Sequence, residues 1–242
     1  SVTVTSAADA STTYMTTIHV LSPEGTYEGE IKNPDAYIMV TIGEPQYLDP
    51  AVDYETAGGE VIMNTYETLV WYDRESTVDL IPVLATEVPT MDNGGISEDG
   101  MNYTFSIRDG VTFHDGTDLT AEDVAYSAQR VIRIHDPTGP SWMLEQVMTG
   151  YLSYYVGGNL STYIADNAPP QWVLDAIGET DGAYILTEDD LTAVAEAAIT
   201  EVDDMTVNFR LTKPYPAFIK ICAYTVLSIV SKDYVEANGG VV

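Results

Sequence analysis

The chain has 242 residues, 45% of them hydrophobic and 10% aromatic, a composition that can bury a core and argues against a disordered or fibrous polymer. Its 38 acidic residues against 9 basic ones give a formal net charge of −29. Binding to a phosphate backbone or an anionic membrane requires clustered Lys and Arg, and here they are scattered from Lys32 to Lys232, so neither partner is expected and the acidic surface reads as solubilising. No window holds the ~18 consecutive apolar residues of a membrane span.

Residues 1–20 lack the basic and then apolar pattern of a cleavable leader. The Ser/Thr/Ala-rich start, Ser1 to Thr13, reads as a tether left after processing. Two β-branched stretches, Tyr14–Val20 and Ala36–Ile42, read as strands on either side of the turn-rich Ser22-Pro23-Glu24-Gly25. The second runs into Gly43-Glu44-Pro45-Gln46-Tyr47-Leu48-Asp49-Pro50, whose prolines and glycine demand irregular backbone. Loops at strand ends are where binding groups concentrate.

Residues 58–70 carry apolar positions at helical spacing, ending before Trp71. Leu80–Thr86 is apolar, and Asp92–Gly100 is a turn cluster that lacks the ligand order of a twelve-residue calcium loop. Tyr103, Phe105 and Ile107 alternate on one face of a half-buried strand over 102–108. Asp109-Gly110 then predicts a turn, with Val111-Thr112-Phe113 pairing back as a hairpin. A helix follows from Ala121 to about Ile134, capped by Thr120, with Val124, Ser127, Ala128, Val131 and Ile132 as its packed stripe. Arg130 and Arg133 are placed in its last turns, where cations suit the helix dipole. Trp142 to Tyr155 is expected as a helix with an aromatic face, inside an otherwise irregular stretch over 136–200. Thr187 caps a further helix over 188–199. The alternation of Met205–Leu211 predicts a strand, followed by a helix over 217–224 and a strand over 226–230.

Chemistry-bearing motifs are sparse. Cys222, the single cysteine, sits in an apolar run and reads as a buried thiol, and no disulfide or cysteine metal site follows from it. His114 shares no ligand spacing with His19 or His135, so it is assigned to a turn and no metal is expected. Neither Gly-x-Ser-x-Gly nor His-Glu-x-x-His occurs, no cofactor motif stands out, and no enzyme is indicated. Asn102-Tyr103-Thr104 and Asn159-Leu160-Ser161 are glycosylation sequons, usable at Asn102 and Asn159 if the protein is exported.

Several of these words, in this order, resemble the family 5 extracellular solute-binding proteins, the receptors of dipeptide, oligopeptide and nickel ABC importers. The matching stretches are Tyr47-Leu48-Asp49-Pro50, Tyr66-Glu67-Thr68-Leu69-Val70-Trp71-Tyr72-Asp73 and Pro82-Val83-Leu84-Ala85. The most specific is the run from Ser97 through His114-Asp115-Gly116 into Leu119-Thr120-Ala121-Glu122-Asp123-Val124. Val207–Phe218 and Ser228–Lys232 extend the likeness, which spans about residues 37–236.

The resemblance implies an α/β fold of the periplasmic-binding-protein-like type II class, two-lobed with mixed sheets. In the family the chain continues well beyond the equivalent of Val242 into a second lobe, so the fold is expected here as incomplete, with the second lobe missing. It divides the chain into an N-terminal extension or tether over 1–35 with a possible strand, first-lobe segments at 36–60 and 201–242, and a small additional α+β domain over 61–200 with an insertion near 151–200. The implied function is capture of peptides, or a related small solute or nickel chelate, by hinge closure of two lobes outside the cell, with a membrane permease as partner. Glu44, Gln46, Tyr47 and Leu48 are the expected cleft wall, and Trp142 and Tyr224 are further ring contacts for a ligand. An alternative stays open: a structural surface or filament-forming protein on the same scaffold, self-associating through the N-terminal strand or the incomplete lobe.

Overall fold

The computed structural model describes the backbone of residues 2–9, 12–18 and 43–240, with side chains from residue 43 onward. The chain divides into two units, Ser1–Val40 and Thr41–Val242. In the first, β1 (Val2–Asp9) and β2 (Thr12–Ile18) form an antiparallel hairpin with Val2 opposite Ile18 and Ser6 opposite Tyr14. The possible strand of the N-terminal extension is thus two paired strands, the first within the Ser/Thr/Ala-rich start. Its Val and Thr residues are β-branched and suit an extended ladder better than a free tail. The strand expected over 36–42 lies outside the described residues.

The second unit opens on an extended loop, residues 43–55, that leads into α1 (Thr56–Thr65). The Glu55 carboxylate caps this helix, accepting the N–H groups of Ala57 and Gly58 at 2.6 Å each. The helix stops at Thr65, five residues before the expected end. The following residues are claimed by a ladder: β3 (Val70–Tyr72) pairs antiparallel with β4 (Leu80–Pro82), and the Leu69 carbonyl accepts the N–H groups of Val83 and Ala85.

The principal sheet has the order β5–β7–β6, formed by β5 (Asn102–Ser106), β6 (Ile199–Asp203) and β7 (Thr206–Arg210). The expected strand over 102–108 is present and buries Tyr103, Phe105 and Ile107. Its partner, however, is β7, with Tyr103 opposite Phe209 and Phe105 opposite Val207. The expected hairpin of β5 with Val111–Phe113 does not form. That segment folds on itself, with the Leu119 N–H donating to the Val111 carbonyl and the Phe113 N–H to the Thr117 carbonyl, and His114 sits in the turn between.

Helix α2 (Ala121–Ile134) has the predicted bounds and a capping box in which the Thr120 N–H donates to Asp123 at 3.0 Å. Its predicted stripe of Val124, Ser127, Ala128, Val131 and Ile132 is buried. The helix expected from Trp142 to Tyr155 is broken. Helix α3 (Trp142–Met148) ends at Thr149, Gly150 and Tyr151 take positive φ of 59° and 58°, and a short 3-10 turn follows at Leu152–Tyr155. Two consecutive left-handed residues cannot continue a right-handed helix.

Helices α4 (Leu160–Asn167) and α5 (Gln171–Ile177) then lead to α6 (Glu188–Ala198), capped by Thr187 as expected. After β7 come α7 (Phe218–Ile221), a 3-10 turn at Thr225–Leu227 and α8 (Lys232–Ala237). The strand expected over 226–230 is replaced by that turn and a single extended link, the Ile229 N–H donating to the Glu67 carbonyl. Tyr103, Phe105, Phe209 and Phe218 form the centre of the core, with Phe209 at 5.7 Å from both Phe105 and Phe218, and Cys222 buried beside them. Among the described residues no helix is long and apolar enough to cross a membrane.

Candidate functional site

The loop over residues 43–54 owes its shape to three attachments. The Gln46 N–H donates to Glu55 at 3.3 Å, which ties the start of the loop to the cap of α1. The Asp49 carbonyl accepts the N–H groups of Val52 and Asp53, closing a turn. The Asp49 carboxylate takes the Ala51 N–H at 2.9 Å and both terminal nitrogens of Arg130, one at 2.7 Å. Burial works to raise the Asp49 carboxyl, but the Arg130 hydrogen bonds and charge, with the Ala51 N–H, outweigh it and hold the group below the usual range. Arg130 is only 7% exposed. Of the two arginines expected in the last turns of α2, Arg133 alone lies in the last turn, whereas Arg130 is buried and clamps the loop.

This clamp leaves Glu44, Gln46, Tyr47 and Leu48 exposed on the outer run of the loop. Leu48 and Asp49, with Tyr66, Arg130, Val230 and Tyr234, also border a concave region of about 1290 Å³. Trp142 and Tyr224 are not among the residues bordering it. Trp142, the first residue of α3, meets Tyr54 edge to face, with ring centroids 6.3 Å apart and planes at 73°. It also borders a shallow aromatic recess with Tyr151, Tyr154 and Tyr155. Tyr224 is within electrostatic reach of the same loop: burial first, then the Tyr54 phenol and the Asp53 carboxylate, raise its phenol above the ordinary value. Tyr54, Trp142 and Tyr224 are 46%, 37% and 41% exposed. The loop residue that meets Trp142 is Tyr54, which sequence reasoning missed, although its place four positions after the Asp49-Pro50 turn was a usable signal.

Asp53, also missed, packs its carboxylate against Gly58 and Gly59 of α1 and is 3% exposed. One of its oxygens, Oδ1, has no hydrogen-bond partner among the described residues. Burial, then the nearby Glu55 charge, pushes its carboxyl up to about 6. The loop packs so closely on α1 that a Cβ at Gly58 would sit 2.5 Å from the Tyr47 carbonyl oxygen. Of the sequon residues, Asn159 is exposed at the start of α4, whereas the Asn102 side chain is half-buried on β5 and accepts from Asn208 at 3.4 Å. Among the described residues no group of three or more His, Cys, Asp or Glu side chains is placed to hold a metal ion.

The model of the bacterial extracellular solute-binding proteins, family 5 middle region, matches residues 79–240, about two thirds of the chain, and the chain belongs to this family. Among individual relatives it is 27% identical over 199 residues to the dipeptide-binding protein of Escherichia coli strain K12, which covers 80% of this chain and 28% of that protein. It is 26% identical over 196 residues to the probable deoxycholate-binding periplasmic protein YgiS of the same strain, covering 81% of this chain and 29% of that protein. The chain thus spans less than a third of the length of these relatives. Of solved structures, the pheromone receptor PrgZ, described with its mode of peptide binding, superposes with a TM-score of 0.56 at 24% identity, over 81% of this chain and 31% of that one. That likeness carries the fold: a mixed α/β chain matching part of a family 5 binding protein.

Proposed function

We propose that this chain supplies one wall of a peptide-binding cleft in the receptor of an ABC importer. The observation that carries the reading is the loop over residues 43–54, held by the Asp49–Arg130 pair so that Tyr47 and Leu48 face outward beside the ring corner of Tyr54 and Trp142. A loop pinned in this way is suited to this task. Its backbone N–H and C=O groups offer main-chain hydrogen bonds to an extended peptide, and the rings supply apolar contact with few rotatable bonds to freeze.

The wall residues are Glu44, Gln46, Tyr47, Leu48, Trp142 and Tyr224, joined by Tyr54. Favourable contacts must exceed an immobilisation cost of about 4–15 kcal/mol, which favours closure of a second wall over the ligand and exclusion of water. A membrane permease that receives the closed form is the corresponding partner, and the place of work is outside the cell membrane. The ligands in the relatives' names, a dipeptide and, for the probable deoxycholate-binding protein, deoxycholate, favour a small organic solute with both polar and apolar surface.

Isothermal titration of the full chain with trialanine, tetra-alanine and penta-alanine tests this. Saturable heat is expected for at least one peptide, weakened several-fold by Trp142→Ala, a change at an exposed side chain. No saturable heat with any of the three, from protein whose circular dichroism reports the native fold, rules the reading out.

A further inference from the structure

Four rings that read in the sequence as one face of a long helix are gathered by the break in that helix. Trp142 stands at the start of α3, and Tyr151, Tyr154 and Tyr155 follow its end. Together they border one shallow recess of about 600 Å³, and every residue lining it is aromatic. Of the four, the proposed peptide wall uses Trp142 alone. The turn that carries the tyrosines is pinned from below: the Tyr151 N–H donates to the Glu145 carbonyl at 3.1 Å, the Ser153 hydroxyl donates to the buried Glu145 carboxylate, and Leu152 is buried in the core. Tyr155 is held twice, packing edge to face on Tyr163 with centroids 5.3 Å apart and donating its hydroxyl to Asp166 at 3.1 Å. Tyr163 is itself buried and bonded to the Thr149 carbonyl at 2.7 Å. A recess whose rings are already in place loses little ordering entropy when it takes a ligand.

What the recess can take follows from its lining. Among the described residues it is bordered by no carboxylate, amide or basic side chain, and the Tyr155 hydroxyl is committed to Asp166. A group rich in N–H donors would give up its water there and find few acceptors. An anion would meet the wrong charge. No Lys or Arg occurs between Arg133 and Arg210, whereas Glu145, Asp166, Asp175, Glu179 and Asp181 all fall inside that stretch. The two arginines that bound it already serve other rings, Arg133 lying 5.5 Å from the Tyr126 centroid and Arg210 5.0 Å from that of Trp172. Shape narrows the choice further. The Tyr151 and Tyr154 rings stand at 73° to one another with centroids 5.7 Å apart. Walls at that angle cannot both lie flat on a planar ligand such as a sugar or an aromatic ring, but a rounded group touches both. A rounded cation without N–H donors is a fully methylated ammonium, whose charge is attracted to π-faces while its methyl groups make apolar contact.

We propose that Trp142, Tyr151, Tyr154 and Tyr155 form a binding site for a quaternary ammonium group of the trimethylammonium class, sharing only Trp142 with the peptide wall. The acidic molecule attracts any cation from a distance. The rings then select among cations, because a primary ammonium is strongly hydrated and must keep its hydrogen bonds, whereas a methylated one has none to lose. Recognition lies in the ring faces, so the Tyr154 hydroxyl is dispensable and its ring is not.

The test titrates three probes into the full chain and follows the proton NMR lines of each: choline, its neutral isostere 3,3-dimethylbutan-1-ol, and ethanolamine. Choline and the isostere share shape and differ in charge, while choline and ethanolamine share charge and differ in methylation. Choline should bind at least tenfold tighter than either. Tyr154→Leu removes an exposed ring without altering net charge and should weaken choline at least fivefold, and Tyr154→Phe should keep its affinity. Circular dichroism of both variants confirms the native fold. Equal binding of choline and the isostere overturns the site and leaves an ordinary apolar patch. Equal binding of choline and ethanolamine, or choline binding untouched by Tyr154→Leu, overturns it as well, assigning the effect to diffuse attraction by the acidic surface. Absence of saturable choline binding overturns it outright. Alanine peptides carry no methylated ammonium, so their titration reports the peptide wall separately, and either proposal can fail while the other stands.

Discussion

Arg130 and Asp49 lie 81 positions apart in the chain and meet through two guanidinium nitrogens and two carboxylate oxygens. The pair joins the inner face of α2 to the exposed loop, so a helix assembled in the core dictates where Tyr47 and Leu48 stand. Replacing Asp49 by Ala strands a buried guanidinium. Removing one partner of a buried pair costs about 3–5 kcal/mol, and the partial exposure of Asp49 places this case near 3 kcal/mol. Urea unfolding followed by circular dichroism measures it. The double variant Asp49→Ala with Arg130→Met should recover much of the loss.

The same pair has a pH signature. The folded-state carboxyl of Asp49 is depressed, so its stabilisation is present above the ordinary aspartate value of about 4 and is lost as pH falls below that toward the folded value. Wild-type stability should drop through this acid window, and the drop should be smaller in the double variant.

Asp53 has the opposite sign. Its folded-state carboxyl is pushed up to about 6, so folding favours the protonated form. Stability from this group is complete below about 4, declines as pH rises to about 6, and is flat beyond. Asp53→Asn should therefore raise stability at pH 8 by at most about 3 kcal/mol while changing little at pH 4. Denaturant midpoints at the two pH values check the prediction, and an equal change at both would contradict it.

Two adjacent glycines in α1 provide a geometric test. A Cβ at Gly58 would press on the Tyr47 carbonyl oxygen and the Asp53 carboxylate, whereas at Gly59 the nearest contact is an ordinary 3.7 Å. Gly58→Ala should cost about 1–3 kcal/mol and weaken peptide binding by displacing the loop. Gly59→Ala should be neutral or stabilising by up to about 1 kcal/mol, since alanine suits a helix better than glycine. Thermal unfolding and calorimetry on the two variants separate the outcomes.

Phe209 lies between Phe105 and Phe218 at the centre of the core. Phe209→Ala should cost about 3–5 kcal/mol, read from the shift in urea midpoint at unchanged slope.

What could be read from the sequence divides by distance along the chain. The alternation of Tyr103, Phe105 and Ile107 located β5, and Thr120 and Thr187 located the starts of α2 and α6, because side-chain period and capping are local properties. The partner of β5 was misassigned because a nearby turn signal competed with β7, which lies about a hundred residues away and leaves no local trace. Arg130 was read through the helix dipole, a weak local effect, when a distant carboxylate decided its direction. The aromatic face expected at 142–155 was split by the left-handed pair Gly150 and Tyr151, and Tyr151 has nothing in its side chain to announce that backbone. The irregular backbone of residues 43–50 was legible from its prolines and glycine, but the contact of Tyr54 with Trp142 and the burial of Asp53 became visible only once the loop was folded onto α1.

The pairing of β5 with β7 has a consequence for how the molecule comes into being. Thr104 and Asn208, bonded across the two strands, are 104 positions apart, and the helices α2 to α6 are made in between. While the chain emerges from the ribosome, β5 has no mate, and Tyr103 and Phe105 have no sheet to bury them. Closing so long a loop is entropically slow. A nascent chain arrested before residue 206 should therefore lack the principal sheet and remain susceptible to proteases until β7 has been made.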